Sequence, residues 1–183
     1  IIVYIKKQNP RVSNAKTIKY LGTGIIIAAH WILFFGSARV SNASVCLAGM
    51  ATTSFWTSLL EPLSNRRRPE MLEVIVGLLV ILGLYLIFRF EFNHALGLTL
   101  ALASAFLAAL FTVINARFSK AESAYVISFY EMAGACIAAG LFLPLYTNFI
   151  VPDVSIQLSA TAIDWGYIIV LALVCTVYPF TAS

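Results

Sequence analysis

Charge is what this sequence lacks. Only 11% of its residues are Asp, Glu, Lys or Arg, while 61% are hydrophobic and the mean hydropathy is +0.91. A water-soluble domain carries about 25% charged residues. So thin a charged complement cannot cover a surface in water, and it excludes the soluble globular classes. Other absences narrow the chemistry. No Walker-type phosphate loop occurs, so nothing points to a nucleotide site. Neither a Gly-x-Ser-x nucleophile nor an HExxH pair is present, no catalytic residue can be assigned, and the chain does not read as an enzyme. Cys46, Cys136 and Cys175 stand singly in apolar segments. Without CxxC or His-rich spacing they read as small core residues, and no metal or cofactor is implied. The last apolar run holds no lysine, which excludes a retinal Schiff base there. The net charge of +4 is no nucleic-acid signal, because the basic residues do not form a stripe with interleaved aromatics.

What is there is a succession of long apolar runs. A membrane-crossing helix needs about 20 mostly apolar residues. The runs are Ile18–Ser37, Ala43–Leu63, Met71–Phe88, Ala95–Ala116, Ser123–Tyr146 and a last one opening near Asp164. They are continuous rather than alternating, so strands are not expected. Between them lie turn residues: Ser41 or Asn42 as an N-cap, and Pro69 where a new helix can begin. The chain opens on "IIVYIKK" and is still apolar at Ser183. It therefore reads as an internal piece of a longer all-α polytopic membrane protein.

If the runs alternate in direction, Lys6, Lys7, Arg11, Lys16, Lys19, Arg66, Arg67, Arg68, Arg117 and Lys120 fall on one side. Arg39 and Arg89 fall on the other. Basic residues in short loops mark the cytoplasm. The three arginines in "SNRRRPE" then act as a topology lock, since carrying them through a bilayer costs several kcal/mol.

Few ionisable groups interrupt the runs, and such groups usually face a cavity or a partner. His30 lies past the middle of its run with Trp31 beside it, either contacting a proton or substrate or bonded to a neighbouring helix. Glu61 precedes the arginines and either gates a path or pairs with Arg66 or Arg67. Pro62 after it frees a backbone carbonyl near Ser58. Glu131 is too deep to reach the headgroups, so it must find a polar partner on another helix, for which Asn115 is the candidate, or be protonated. Ala101, Ala105, Ala108, Ala109 and Thr112 form one small-residue face, and Gly134, Ala135, Ala138 and Ala139 another.

"GTGIIIAAHWILFFGSARVSNASVCLAGMATTSFWTSLLEPLSNRRRPEMLEVIVGLLVILGLYLIF", followed by "LASAFLAALFTVINARFSK" and "VISFYEMAG", resembles the bacterial EamA-type transporters of the drug/metabolite transporter superfamily. The resemblance covers essentially the whole chain. It implies a ten-helix bundle of two inverted five-helix repeats. Residues 1–90 would run from the end of helix 2 through helix 5, and residues 91–183 would hold helices 6 to 8. "AHWILFF" echoes "CTVYPFT" in aromatic pattern, as inverted repeats require. Many relatives carry a Gly-Glu-Arg pattern at the end of the fourth helix. Here that place reads "NRRR", so no role transfers from it.

The resemblance implies a secondary transporter, an exporter or exchanger of small metabolites in the bacterial inner membrane, working by alternating access. His30, Trp31, Trp56, Glu61, Asn115 and Tyr178 are the expected cavity or gate residues, and Glu131 the coupling candidate. Its partners are a small-molecule substrate and the lipid bilayer, with homodimer formation left open. The competing class is a non-transporting membrane scaffold or sensor.

Overall fold

The computed structural model describes residues 12–88, 94–146, 161–171 and 174. Among them no strand occurs. The helices are α1 (Asn14–Val40), α2 (Ala43–Met50), α3 (Thr53–Asn65), α4 (Met71–Phe88), α5 (Ala95–Phe118), α6 (Ala124–Leu145) and α7 (Ala162–Val170). The chain divides into two compact units, residues 1–142 and 143–183. Four segments are long and apolar enough to cross a membrane: α1, the α2–α3 pair taken together as Ala43–Asn65, α5 and α6. The chain is a helical membrane protein.

The loop chemistry sets the helix ends. Asn42 caps α2, its side chain accepting from the Val45 amide at 2.9 Å. Arg66 closes α3 with a left-handed backbone, φ 52° and ψ 38°. Glycine usually fills such a position. In the second unit a reciprocal capping box starts α7: Thr161 accepts from the Asp164 amide, and Asp164 from the Thr161 amide.

In the first unit α5 is the centre, packing against α1, α2 and α3. It can do so because its inward face is built from small side chains. Ala101, Ala105 and Ala109 are 0% exposed, as is Ser104. Small residues let helix backbones approach where lipid supplies no hydrophobic drive for association. Tyr20 stacks edge-on against Phe118 with ring centroids 4.9 Å apart, and Ser37 Oγ donates to the Gly97 carbonyl at 2.7 Å. These two contacts make α1 and α5 antiparallel. Gly49 lies against Ala101, and Trp56 meets Phe106 at 5.2 Å, so the α2–α3 span runs parallel to α5. Lys16 pairs with Glu122 at 3.0 Å, and Leu21 lies against Gly134, so α6 runs parallel to α1.

From these directions the charges can be placed. Lys16, Lys19, Arg66, Arg67, Arg68, Arg117 and Lys120 lie at one end of the unit, and Arg39 lies at the other. The remaining four basic residues, Lys6, Lys7, Arg11 and Arg89, lie outside the described residues. Cys46 is buried and donates to the Phe34 carbonyl at 3.3 Å. Cys136 departs from the core expectation: it is exposed, because α6 turns Gly134 and Ala135 inward instead. Cys175 lies outside the described residues. The small face of α6 is also narrower than expected, since Ala139 is exposed. α4 seats Gly77 against Phe55 of α3 and leaves Leu72, Ile75, Leu79, Leu82 and Leu86 exposed. Apolar residues around most of a helix suit a lipid surround.

Candidate functional site

Three features of the first unit carry polarity into its apolar interior. The first is a break. The span Ala43–Asn65 is not uniformly α-helical: the backbone stays right-handed at Ala51 and Thr52, but there the hydrogen-bond ladder tightens. The Thr52 amide reaches the Gly49 carbonyl at 3.1 Å, three residues back, and the Ala51 amide is shared between Leu47 and Ala48. The Thr52 and Thr53 hydroxyls donate to the Gly49 and Met50 carbonyls, each at 2.7 Å. Hydroxyls of this kind compete for backbone carbonyls and bend helices. The interruption falls near mid-span. Just past it, Trp56 lines an open apolar groove of about 510 Å³ with Leu33 of α1 and Thr99, Leu102, Ala103, Phe106 and Leu107 of α5. The indole Nε1–H of Trp56 is buried and has no partner among the described residues.

The second feature joins the middles of α1 and α5. Ser104 Oγ donates to the His30 carbonyl at 2.9 Å. Its proton is thereby used, so at 2.8 Å from His30 Nδ1 it acts as acceptor. The Ser104 carbonyl lies 3.0 Å from the same nitrogen. Facing two acceptors, Nδ1 carries the hydrogen, and this fixes the tautomer. In the neutral ring Nε2 then keeps a lone pair, and no hydrogen bond to it is formed among the described residues. The ring itself packs against Phe34 and Phe111, at 6.2 and 5.8 Å.

The third joins α5 and α6. Glu131 is 2% exposed. Asn115 Nδ2 donates to its Oε2 at 3.1 Å, the partner expected for it. Asn115 Oδ1 and Glu131 Oε1 are both buried and unpartnered among the described residues. Ser104 and Asn115 are eleven positions apart, about 16 Å along a helix at 1.5 Å per residue. His30 and Glu131 therefore belong to different depths, not to one constellation.

The remaining expected residues sit elsewhere. Trp31 is 41% exposed and turns away from the His30–Ser104 contact. Glu61 is at the basic end, where Arg67 donates to its Oε1 at 2.7 Å with both side chains over 40% exposed. The left-handed turn at Arg66 swings Arg67 back to make this contact. The arginines thus do more than set orientation. Pro62 is buried inside α3, as is Ser58, whose carbonyl loses its i+4 donor. Tyr178 lies outside the described residues. Sequence reasoning missed Ser104, which looks like one more small residue in "LALASAFLAAL", and the Thr52–Thr53 hydroxyl pair that marks the break.

No family model, curated protein or solved structure matches the chain.

Proposed function

We propose that this protein is a secondary transporter of small metabolites, of the EamA type, built from inverted repeats and resident in the bacterial inner membrane. The observation that carries the proposal is the interrupted α2–α3 span beside the groove at Trp56. Non-regular backbone at membrane depth is tolerated where it lines a cavity or is buried in protein. Transporters place discontinuous helices near the midplane, where substrate binds. Transport would be driven by a gradient, with Trp56 and His30 contacting substrate and the Glu61–Pro62 turn serving as a gate at the basic end. The deciding experiment is flux of a panel of small metabolites into proteoliposomes holding the full-length protein. Absence of flux for the whole panel, from folded protein, favours the scaffold or sensor class.

Two expected outcomes accompany this reading. Cysteines placed at Lys16 and Arg67 should react with an impermeant thiol reagent from the cytoplasmic side, and one at Arg39 from the opposite side. Labelling of all three from one side would overturn the orientation. Glu61→Gln should leave stability within about 1 kcal/mol of wild type, because exposed ion pairs contribute no more than that. Its flux should nevertheless fall at matched abundance. Wild-type flux in this variant would remove the gate and leave Glu61 as an anchor for Arg67.

A further inference from the structure

Glu131 presents a problem of hydrogen-bond accounting. Its carboxyl group is sealed between α5 and α6. Neither ion pair among the described residues involves it. An ionised carboxylate offers only acceptors, and here it receives one donor, Asn115 Nδ2. That leaves Glu131 Oε1 and Asn115 Oδ1 as two buried acceptors with nothing to accept. Two lone-pair oxygens cannot satisfy each other. A buried charge with so little compensation is among the costliest arrangements inside a membrane.

One added proton resolves both orphans. A protonated carboxyl offers an O–H donor beside a carbonyl acceptor, and a carboxamide offers an N–H donor beside a carbonyl acceptor. The two groups are complementary at two points. We propose that Glu131 and Asn115 form a proton-binding site, in which Glu131 stands as a neutral carboxylic acid whose Oε1–H donates to Asn115 Oδ1 while Asn115 Nδ2–H donates to Oε2. Binding forms the Oε1–H bond with a proton from water, and release returns that proton to water. Release leaves an uncompensated carboxylate, so it must accompany an opening of the α5–α6 seam that admits water.

The surroundings fit a neutral partner. From α1 the titratable side chain nearest the site is Tyr20, itself 2% exposed and ring-stacked on Phe118 and Tyr130. Lys16, also on α1, is committed to Glu122 at 3.0 Å. From α5 the nearest charge is Arg117, exposed at the helix end. A metal cation suits the site less well than a proton. Hard cations such as Ca²⁺ take six or more oxygen ligands, and only two unpartnered oxygens are offered here. That this proton drives transport rests on the function proposed above. The proton site itself does not, and its test needs no substrate.

The test is infrared spectroscopy of the full-length protein in lipid at neutral pH, with glutamate carboxyls labelled with ¹³C. The other described glutamates are exposed or ion-paired, so Glu131 is the one described glutamate expected to give a carboxylic-acid C=O band that shifts with the label. Glu131→Gln should abolish it. Asn115→Leu should keep it and move its frequency, through loss of the two-point partner. A wild-type spectrum with no labelled carboxylic-acid band would overturn the proposal without recourse to any variant. Loss of the band on adding sodium chloride at fixed pH would overturn it in favour of a cation. Flux without the band would leave transport standing and remove the proton site, whereas the band without flux would do the reverse.

Discussion

Gly134→Leu should prevent the first unit from assembling. A Cβ at Gly134 falls on the Leu21 carbonyl oxygen, and one at Gly24 falls on the Glu131 carbonyl oxygen. α1 and α6 cross at these two glycines, backbone against backbone, and a backbone atom cannot swing aside as a side-chain tip can. Overpacking commonly costs about 1–3 kcal/mol. Here the cost is compounded, because parting α1 from α6 also disturbs the packing of Ile27, Ala28 and Ala135. The expected outcome is a large loss of folded protein in the membrane and an early melting transition in detergent. Gly140→Leu is the control on the same helix, since a Cβ there meets nothing within 4 Å. It should leave abundance and melting near wild type. Equal tolerance of the two substitutions would mean that the crossing is not what holds α6.

If the chain transports as proposed, His30→Phe should have the largest effect on flux among variants that still fold. Phenylalanine keeps a ring between Phe34 and Phe111. It gives up the Nδ1–H bond to Ser104 and the Nε2 lone pair. Ser104 Oγ still has the residue 30 carbonyl to donate to, so no buried donor is orphaned, and abundance should stay near wild type. If His30 contacts substrate as proposed, losing that hydrogen bond in a desolvated site costs about 1–3 kcal/mol. At 1.4 kcal/mol per factor of ten, flux should fall by about tenfold or more. His30→Gln, which retains a donor and an acceptor, should recover part of it. Unchanged flux in the phenylalanine variant would make His30 a packing residue held by Ser104.

Much of the first unit was legible in the sequence, because hydrocarbon imposes few options. Long apolar runs must be helices, so the helices and their order could be read directly, although the run Met71–Phe88 is not among the four segments long and apolar enough to cross a membrane. The alanine face of α5 was also legible, since Ala101, Ala105 and Ala109 recur at helical spacing. The Asn115–Glu131 contact followed from depth, as a buried carboxyl needs a partner near its own level. Three things were not legible. A run such as Ala43–Leu63 is equally apolar whether or not its ladder breaks, and the break depends on where two threonine hydroxyls find carbonyls. Trp31 was grouped with His30 by adjacency. Neighbours on a helix are about 100° apart, so His30 turns to α5 and Trp31 turns outward. Ser104 was invisible because serine and alanine serve alike in a small-residue face. Only the neighbouring histidine distinguishes it.

The polar contacts on α5 also bear on how α1 can move. Gly97, Ser104 and Asn115 stand seven and eleven residues apart, spacings that return to nearly the same azimuth on a helix of 3.6 residues per turn. They form three rungs on one face, about 10 Å and 16 Å apart along the axis. The first two rungs engage Ser37 and His30 of α1, and the third engages Glu131 of α6. A slip of α1 along α5 by one turn, about 5.4 Å, matches neither rung spacing: it takes His30 off the Ser104 hydroxyl and sets Ser41 against a side chain in place of Gly97. The α1–α5 register is therefore single-valued. Sliding of α1 along α5 breaks both contacts at once, whereas a small rotation about them need break neither.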